Sequence, residues 1–163
     1  MIRRLLPHPG LSGFLVLFWL ILAGSWGLGS LLLALAVGVV VPLIVAAWWP
    51  ERPRLRAPLG LVTYTLIVVW DVIRGCFTVA RVILFLPAAQ IRTAWVVVPL
   101  DLDSPEAIAL LAGTITMTPG TLTADYSADG RALLVHSLHA PDPDAVRDEI
   151  KTRYEARLQR IFG

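Results

Sequence analysis

Residues 11–49 contain no Asp, Glu, Lys, Arg or His, thirty-nine positions in succession, and the six at 51–56, Glu51-Arg52-Pro53-Arg54-Leu55-Arg56, carry four charges. Apolar surface left in water costs roughly 25 cal/mol per Å², so no soluble domain leaves such a run exposed. The stretch belongs in a bilayer. A helix rises about 1.5 Å per residue and needs about 20 residues to cross about 30 Å of hydrocarbon, so the run is too long for one span and fits two short ones. The break falls at Gly24-Ser25-Trp26-Gly27-Leu28-Gly29-Ser30, where three glycines and two serines weaken helix continuation.

A membrane α-helical hairpin over residues 1–50 is therefore expected. Trp26 and Trp48 would place indoles at both headgroup levels, if they are not simply filling gaps between helices. Arg3 and Arg4 precede the first span and Arg52, Arg54 and Arg56 follow the second, which marks both outer ends as cytoplasmic. A cleaved signal peptide over residues 1–25 competes, since Arg3-Arg4, an apolar core and Ala23-Gly24-Ser25 imitate its three parts. The second apolar run starts at once and supplies the other half of a hairpin, which a signal peptide does not need.

Residues 51–94 hold a basic linker and a helix that either lies amphipathically at the membrane surface or spans as a third membrane helix. Its first half, 59–70, is apolar, but Asp71, Arg74, Thr78 and Arg81 follow at spacings of three and four on one face. A charge at the bilayer centre costs several kcal/mol. A third span would also carry Arg92 and the charged tail outside, against the charge bias, so the surface helix is favoured.

The third segment, residues 95–163, reads as a small α+β domain. Val96-Val97-Val98-Pro99-Leu100 is a short strand that Pro99 confines to a sheet edge or a bulge. Ser104-Pro105-Glu106 opens a helix and Thr118-Pro119-Gly120 stops it, with Gly120 suited to a type II turn. Strands over 122–127 and 132–138 meet at Ala128-Asp129-Gly130, and Asp142-Pro143-Asp144 opens a last helix. In that helix Val146, Ile150, Tyr154, Leu158 and Ile161 form one apolar stripe, with Glu149 and Arg153 paired on another face. The order β-α-β-β-α is a split ferredoxin-like unit without its last strand. The helix over 107–117 bears no charge, so its outer side is expected to press on the membrane surface or a partner protein.

Composition restricts function. Charged residues make up 16%, below the usual quarter, and a net charge of +2 mixed along the tail does not point to nucleic acid. Cys76 is the single cysteine, which excludes an internal disulfide and a cysteine zinc site. His136 and His139 face opposite ways with no third ligand, so no metal is expected. No Ser-His-Asp set, phosphate loop or paired-carboxylate motif occurs, so neither catalysis nor a cofactor is expected.

Several stretches carry a resemblance: Val98-Pro99-Leu100-Asp101-Leu102; Thr114-Ile115-Thr116-Met117-Thr118-Pro119-Gly120-Thr121-Leu122-Thr123; Asp129-Gly130-Arg131; and Val135-His136. Together they resemble the E-type member of the multisubunit Na⁺/H⁺ antiporters of the Mrp, Mnh and Pha type, over the whole chain. The resemblance implies a bacterial inner-membrane hetero-oligomer with other antiporter subunits, the large ones resembling the proton-pumping subunits of respiratory complex I. The E-type protein is a small accessory member there.

The residues themselves argue that the chain does not form the ion path alone. A path needs ionisable groups inside the membrane, and residues 11–49 have none. Asp71 is the single candidate acid, either a proton or cation relay in a shared pathway or the partner of Arg74 or of lipid headgroups. Arg74 and Arg81 are read as anchors to lipid or partner. Thr118, Pro119, Gly120 and Thr121 are the expected structural and assembly point, their threonines capping a helix and decorating a strand rather than lining an ion ladder. Two functions follow: an assembly subunit of a cation/proton antiporter, or a free-standing membrane-anchored module that binds a ligand at its open sheet edge. The cation exchanged is not written in this chain, since selectivity would reside in partners.

Overall fold

The computed structural model describes residues 9–46 and 56–163. Trp48 and the arginines at positions 3, 4, 52 and 54, on which the aromatic belt and most of the charge bias rest, lie outside the described residues. The chain forms two compact units, residues 1–52 and 53–163.

In the first unit, helices α1 (Pro9–Ala23) and α2 (Leu28–Val45) pack against each other across the turn expected at Gly24. Gly24 takes a positive φ of 58°, which glycine adopts without the steric penalty of a Cβ. The faces in contact are made of small groups: Ser12, Ala34, Gly38 and Pro42 are buried beside Leu20. A Cβ at Gly38 would stand 2.6 Å from Val16 Cγ2 and 3.0 Å from the Ser12 carbonyl oxygen, so glycine sets how closely the helices approach. Large side chains point the other way, Phe14, Leu22, Leu32 and Ile44 among them. Among the described residues α2 alone is long and apolar enough to cross a membrane; the described part of α1 has 15 residues.

The second unit begins with α3 (Pro58–Phe85), a helix of 28 residues and about 42 Å. After a short 3₁₀ turn come β1 (Ala94–Pro99), α4 (Pro105–Met117), β2 (Thr121–Tyr126) and β3 (Ala132–Ser137). The three strands form an antiparallel sheet in the order β1-β3-β2, with Trp95 opposite His136 and His136 opposite Leu122. This is the strand order of the split unit, and β1 is an edge, where Pro99 breaks no internal ladder. Ser104 caps α4 as its sequence indicates, its Oγ accepting the Ala107 N–H at 3.3 Å.

The last helical stretch is not uniform. α5 (Pro143–Glu149) runs into a wider π-helical turn, Ile150–Glu155, and then into α6 (Ala156–Phe162). The Ala156 N–H reaches back to the Lys151 carbonyl, an i→i−5 bond. Ile150, Tyr154, Leu158 and Ile161 are buried as the stripe requires, but the wide turn also carries Glu155 into the interior.

One face of the sheet, through Val96, Val98, Leu133 and Val135, joins Ala107, Leu111, Ile115, Leu158 and Ile161 in the core. Tyr64 and Val68 of α3 belong to the same core, so α3 closes over the helical layer. The lack of charge over 107–117 is thereby explained in part from within the chain. Leu111 and Ile115 are buried and Thr114 meets Tyr64 of α3, leaving Ala109, Gly113, Thr116 and Met117 exposed.

Candidate functional site

The polar chemistry of the second unit gathers where α3 meets the C-terminal helix. Asp71 lies on the inner face of α3, 8% exposed, and Arg153 grips it with both arms of its guanidinium: Nε to Oδ2 at 2.6 Å and Nη2 to Oδ1 at 2.5 Å. The Tyr154 hydroxyl donates to Oδ2 at 3.0 Å. Sequence spacing pointed to Arg74 or a headgroup as the partner of Asp71, and the structure corrects this. The stripe of Asp71, Arg74, Thr78 and Arg81 is divided by helix geometry: at about 100° per residue Asp71 turns inward, while Arg74 and Arg81 remain on the exposed side. Arg153 likewise leaves the expected surface pair with Glu149.

The electrostatics follow from these contacts. The Arg153 guanidinium holds the Asp71 carboxyl below the usual carboxylate range, against the opposing effect of burial, with further help from Tyr154. Asp71 in return raises Arg153. Burial, followed by the charge of Asp71, pushes the Tyr154 phenol up to about 12, so it remains a donor. A carboxylate held ionised by a bidentate cation is poorly suited to exchanging protons near neutral pH.

A second polar clamp fastens the chain leaving β1. Glu155, 1% exposed, accepts the Asp101 N–H at 2.6 Å and pairs with Lys151 at 2.5 Å. Lys151 also reaches Asp101 Oδ2 at 2.6 Å and the Pro99 carbonyl at 2.8 Å. The Pro99-Leu100-Asp101 stretch is thus tied to the π-helical turn. Lys151, Arg153, Tyr154 and Glu155 all lie on this turn; a regular period of about 3.6 indicates the burial of Tyr154 but not the ion pairs of Lys151, Arg153 and Glu155.

The Thr118-Pro119-Gly120-Thr121 segment is a type II turn, Gly120 having φ 92° and the Thr121 N–H reaching the Thr118 carbonyl at 3.2 Å. Thr121 Oγ1 donates to the carbonyls of Ile115 and Thr118, at 2.7 and 3.0 Å, and so occupies acceptors that the end of α4 leaves open. Thr118 bonds to Thr114, and Thr123 to Ala112 at 3.1 Å. The turn also seats on α3. A Cβ at Gly75 would stand 3.0 Å from the Pro119 ring, and one at Gly120 would stand 2.9 Å from Val79. His136 stacks edge-on against Trp95 at 4.8 Å, and His139 Nδ1 accepts the Arg92 N–H at 3.2 Å.

Known proteins similar to this chain agree with one another. The model of the family described as Na+/H+ ion antiporter subunit matches residues 12–161. A probable K(+)/H(+) antiporter E subunit from Rhizobium meliloti (strain 1021) is 38% identical over 160 residues, covering 98% of this chain and 99% of the relative. The Na(+)/H(+) antiporter E1 subunit of Staphylococcus aureus (strain JH9) is 23% identical, covering 93% of this chain and 94% of the relative. The fold is matched by a chain of the membrane-bound sulfane sulfur reductase, an archaeal respiratory membrane complex, with a TM-score of 0.76, 23% identity and 99% of both chains covered. Matched along nearly its whole length, the chain belongs to the Na⁺/H⁺ antiporter subunit family, as an E-type member.

Proposed function

We propose that this chain is an accessory and assembly subunit of a monovalent cation/proton antiporter in the bacterial inner membrane and does not form the ion path. The observation that carries the reading is the occupation of Asp71 by Arg153 and Tyr154. The described hairpin residues contain no ionisable side chain, and Asp71 is the one acid of α3. Its lone pairs serve a joint between α3 and the C-terminal helix. Relatives are named for K⁺ in one case and Na⁺ in another, so the cation belongs to the complex as a whole.

The reading extends to topology. The hairpin crosses twice, supported by its small-residue contact face and large apolar outer faces, the pattern of helices packed in lipid. α3 lies along the cytoplasmic membrane surface rather than across the bilayer. What supports this is that Gly60, Tyr64, Asp71, Gly75 and Val79, nearly the whole length of one face, pack on the α+β elements. A spanning α3 would pull those elements and the Lys151–Glu155 clamp into hydrocarbon.

The test is Asp71→Asn in membranes that depend on this chain, measuring complex abundance and antiport together. The expected result is a lower amount of complex with normal exchange per complex. Normal assembly with abolished exchange would make Asp71 part of the ion path and overturn the reading.

A further inference from the structure

We propose that the outer face of α3 binds the phosphate groups of anionic phospholipids, with Arg74 and Arg81 as the two cationic contacts. The inference rests on the reading that α3 lies on the membrane surface, and it adds a lipid class and two named ligands.

The face opposite Asp71 and Tyr64 is apolar and open. Leu59, Leu66, Trp70, Ile73, Phe77 and Leu84 follow one another along it, with Trp70 62% and Phe77 74% exposed. Arg81 falls on this same row and Arg74 at its margin. The only acid on the helix, Asp71, is turned inward and held by Arg153. Among the described residues no carboxylate lies within ion-pair distance of Arg74 or Arg81. Trp70, Ile73, Arg74, Phe77, Thr78 and Arg81 line a shallow groove of about 380 Å³.

This combination suits one occupant. A lipid without phosphate or an apolar protein surface would cover Trp70 and Phe77 but leave two guanidinium groups desolvated with no carboxylate among the described residues in ion-pair distance, and a net-anionic surface attracts them more strongly than a zwitterionic one. Water alone would solvate the arginines but leave the aromatic rings exposed. At a headgroup boundary the rings enter the acyl region while the long arginine stems lift their charges to phosphate, which guanidinium binds through paired N–H donors. Seven residues, about 10.5 Å of helix, separate the arginines, so each meets its own phosphate. A cation near an anionic surface contributes about five-fold in affinity.

Cys76, the single cysteine, is exposed on the flank of the same helix and serves as the probe position. The full chain, nitroxide-labelled at Cys76, is placed in nanodiscs of phosphatidylcholine or phosphatidylglycerol, and label depth is read from collision with water-soluble and lipid-soluble relaxants. In parallel, the two lipids compete for retention on the chain in detergent. Expected are a label at headgroup depth, immobilised further in phosphatidylglycerol, and preferential retention of that lipid. Arg74→Gln should lower the preference about five-fold, the double variant with Arg81→Gln about 25-fold, and the matching Lys variants should keep most of it. A label at headgroup depth but indifferent to lipid charge, with retention unchanged in the double Gln variant, would overturn the anionic-lipid site and leave the surface helix standing. A label at the bilayer centre would overturn both. Unchanged circular dichroism of the variants ties any loss to charge rather than to folding.

Discussion

Asp71 and Arg153 are 82 positions apart in sequence and meet in a bidentate ion pair of 2.5 and 2.6 Å that joins α3 to the C-terminal helix. Removing one partner of such a pair leaves the other without its counter-charge. Arg153 is one-third exposed and can recover some hydration, so the cost falls below that of a fully buried pair. Asp71→Asn is expected to lower the stability of the second unit by about 1–3 kcal/mol, read as an earlier thermal transition of the full chain in detergent. Arg153→Lys should lose part of this as well, because an ammonium cannot reproduce the two parallel bonds.

The same pair makes a pH prediction with a definite sign. The folded-state pKa of Asp71 is lowered, so its stabilisation is present above the ordinary carboxylate pKa of about 3.9 and is lost as pH falls through the lower folded value. The stability gap between the natural chain and Asp71→Asn should therefore be flat from about pH 8 to 5 and close below about pH 4. Denaturant unfolding at a series of pH values measures it. A gap that closes near about pH 6 would mean a carboxyl with a raised pKa, as a proton carrier requires.

Gly120→Val combines two costs. A β-branched residue at φ 92° is strained by about 1–3 kcal/mol, and its Cβ would meet Val79 at 2.9 Å. The turn should lift from α3 and misdirect β2. Loss of assembled complex is expected, with unchanged ion selectivity in whatever survives; blotting of membranes alongside an antiport assay checks both. Gly75→Leu, which would strike the Pro119 ring from the other side, should give the same phenotype.

Within the hairpin, Gly38→Leu should force α1 and α2 apart, since even a methyl group would stand 2.6 Å from Val16 Cγ2. Overpacking of this kind costs about 1–3 kcal/mol. Crosslinking in membranes between cysteines engineered on α1 and α2 away from position 38 would report the separation, and undiminished crosslinking in a Gly38→Leu hairpin would count against it.

The topology is tested at the C-terminus. A reporter fused after Gly163 is expected to give a cytoplasmic signal. An active alkaline phosphatase fusion there would place the end outside and make α3 a third span.

Local chemistry made much of this protein legible in its sequence. The break near Gly24, the Ser104 cap, the type II turn at Gly120 and the buried stripe from Ile150 to Ile161 each follow from rules that act within a few residues, while Pro99 at a sheet edge follows from the element order. The family resemblance rested largely on the Thr118-Pro119-Gly120-Thr121 stretch and its neighbours, which in the structure caps α4 and seats on Gly75. Tertiary structure alone decided the partners of the charges. Spacing along α3 offered Arg74 to Asp71, yet the inward turn of Asp71 exposed it to a cation from the far end of the chain. On the π-helical turn Arg153 pairs with Asp71 and Glu155 is buried against the Asp101 backbone. Long-range ion pairs of this sort depend on which elements pack together, and helical periodicity within one segment cannot encode the register of another.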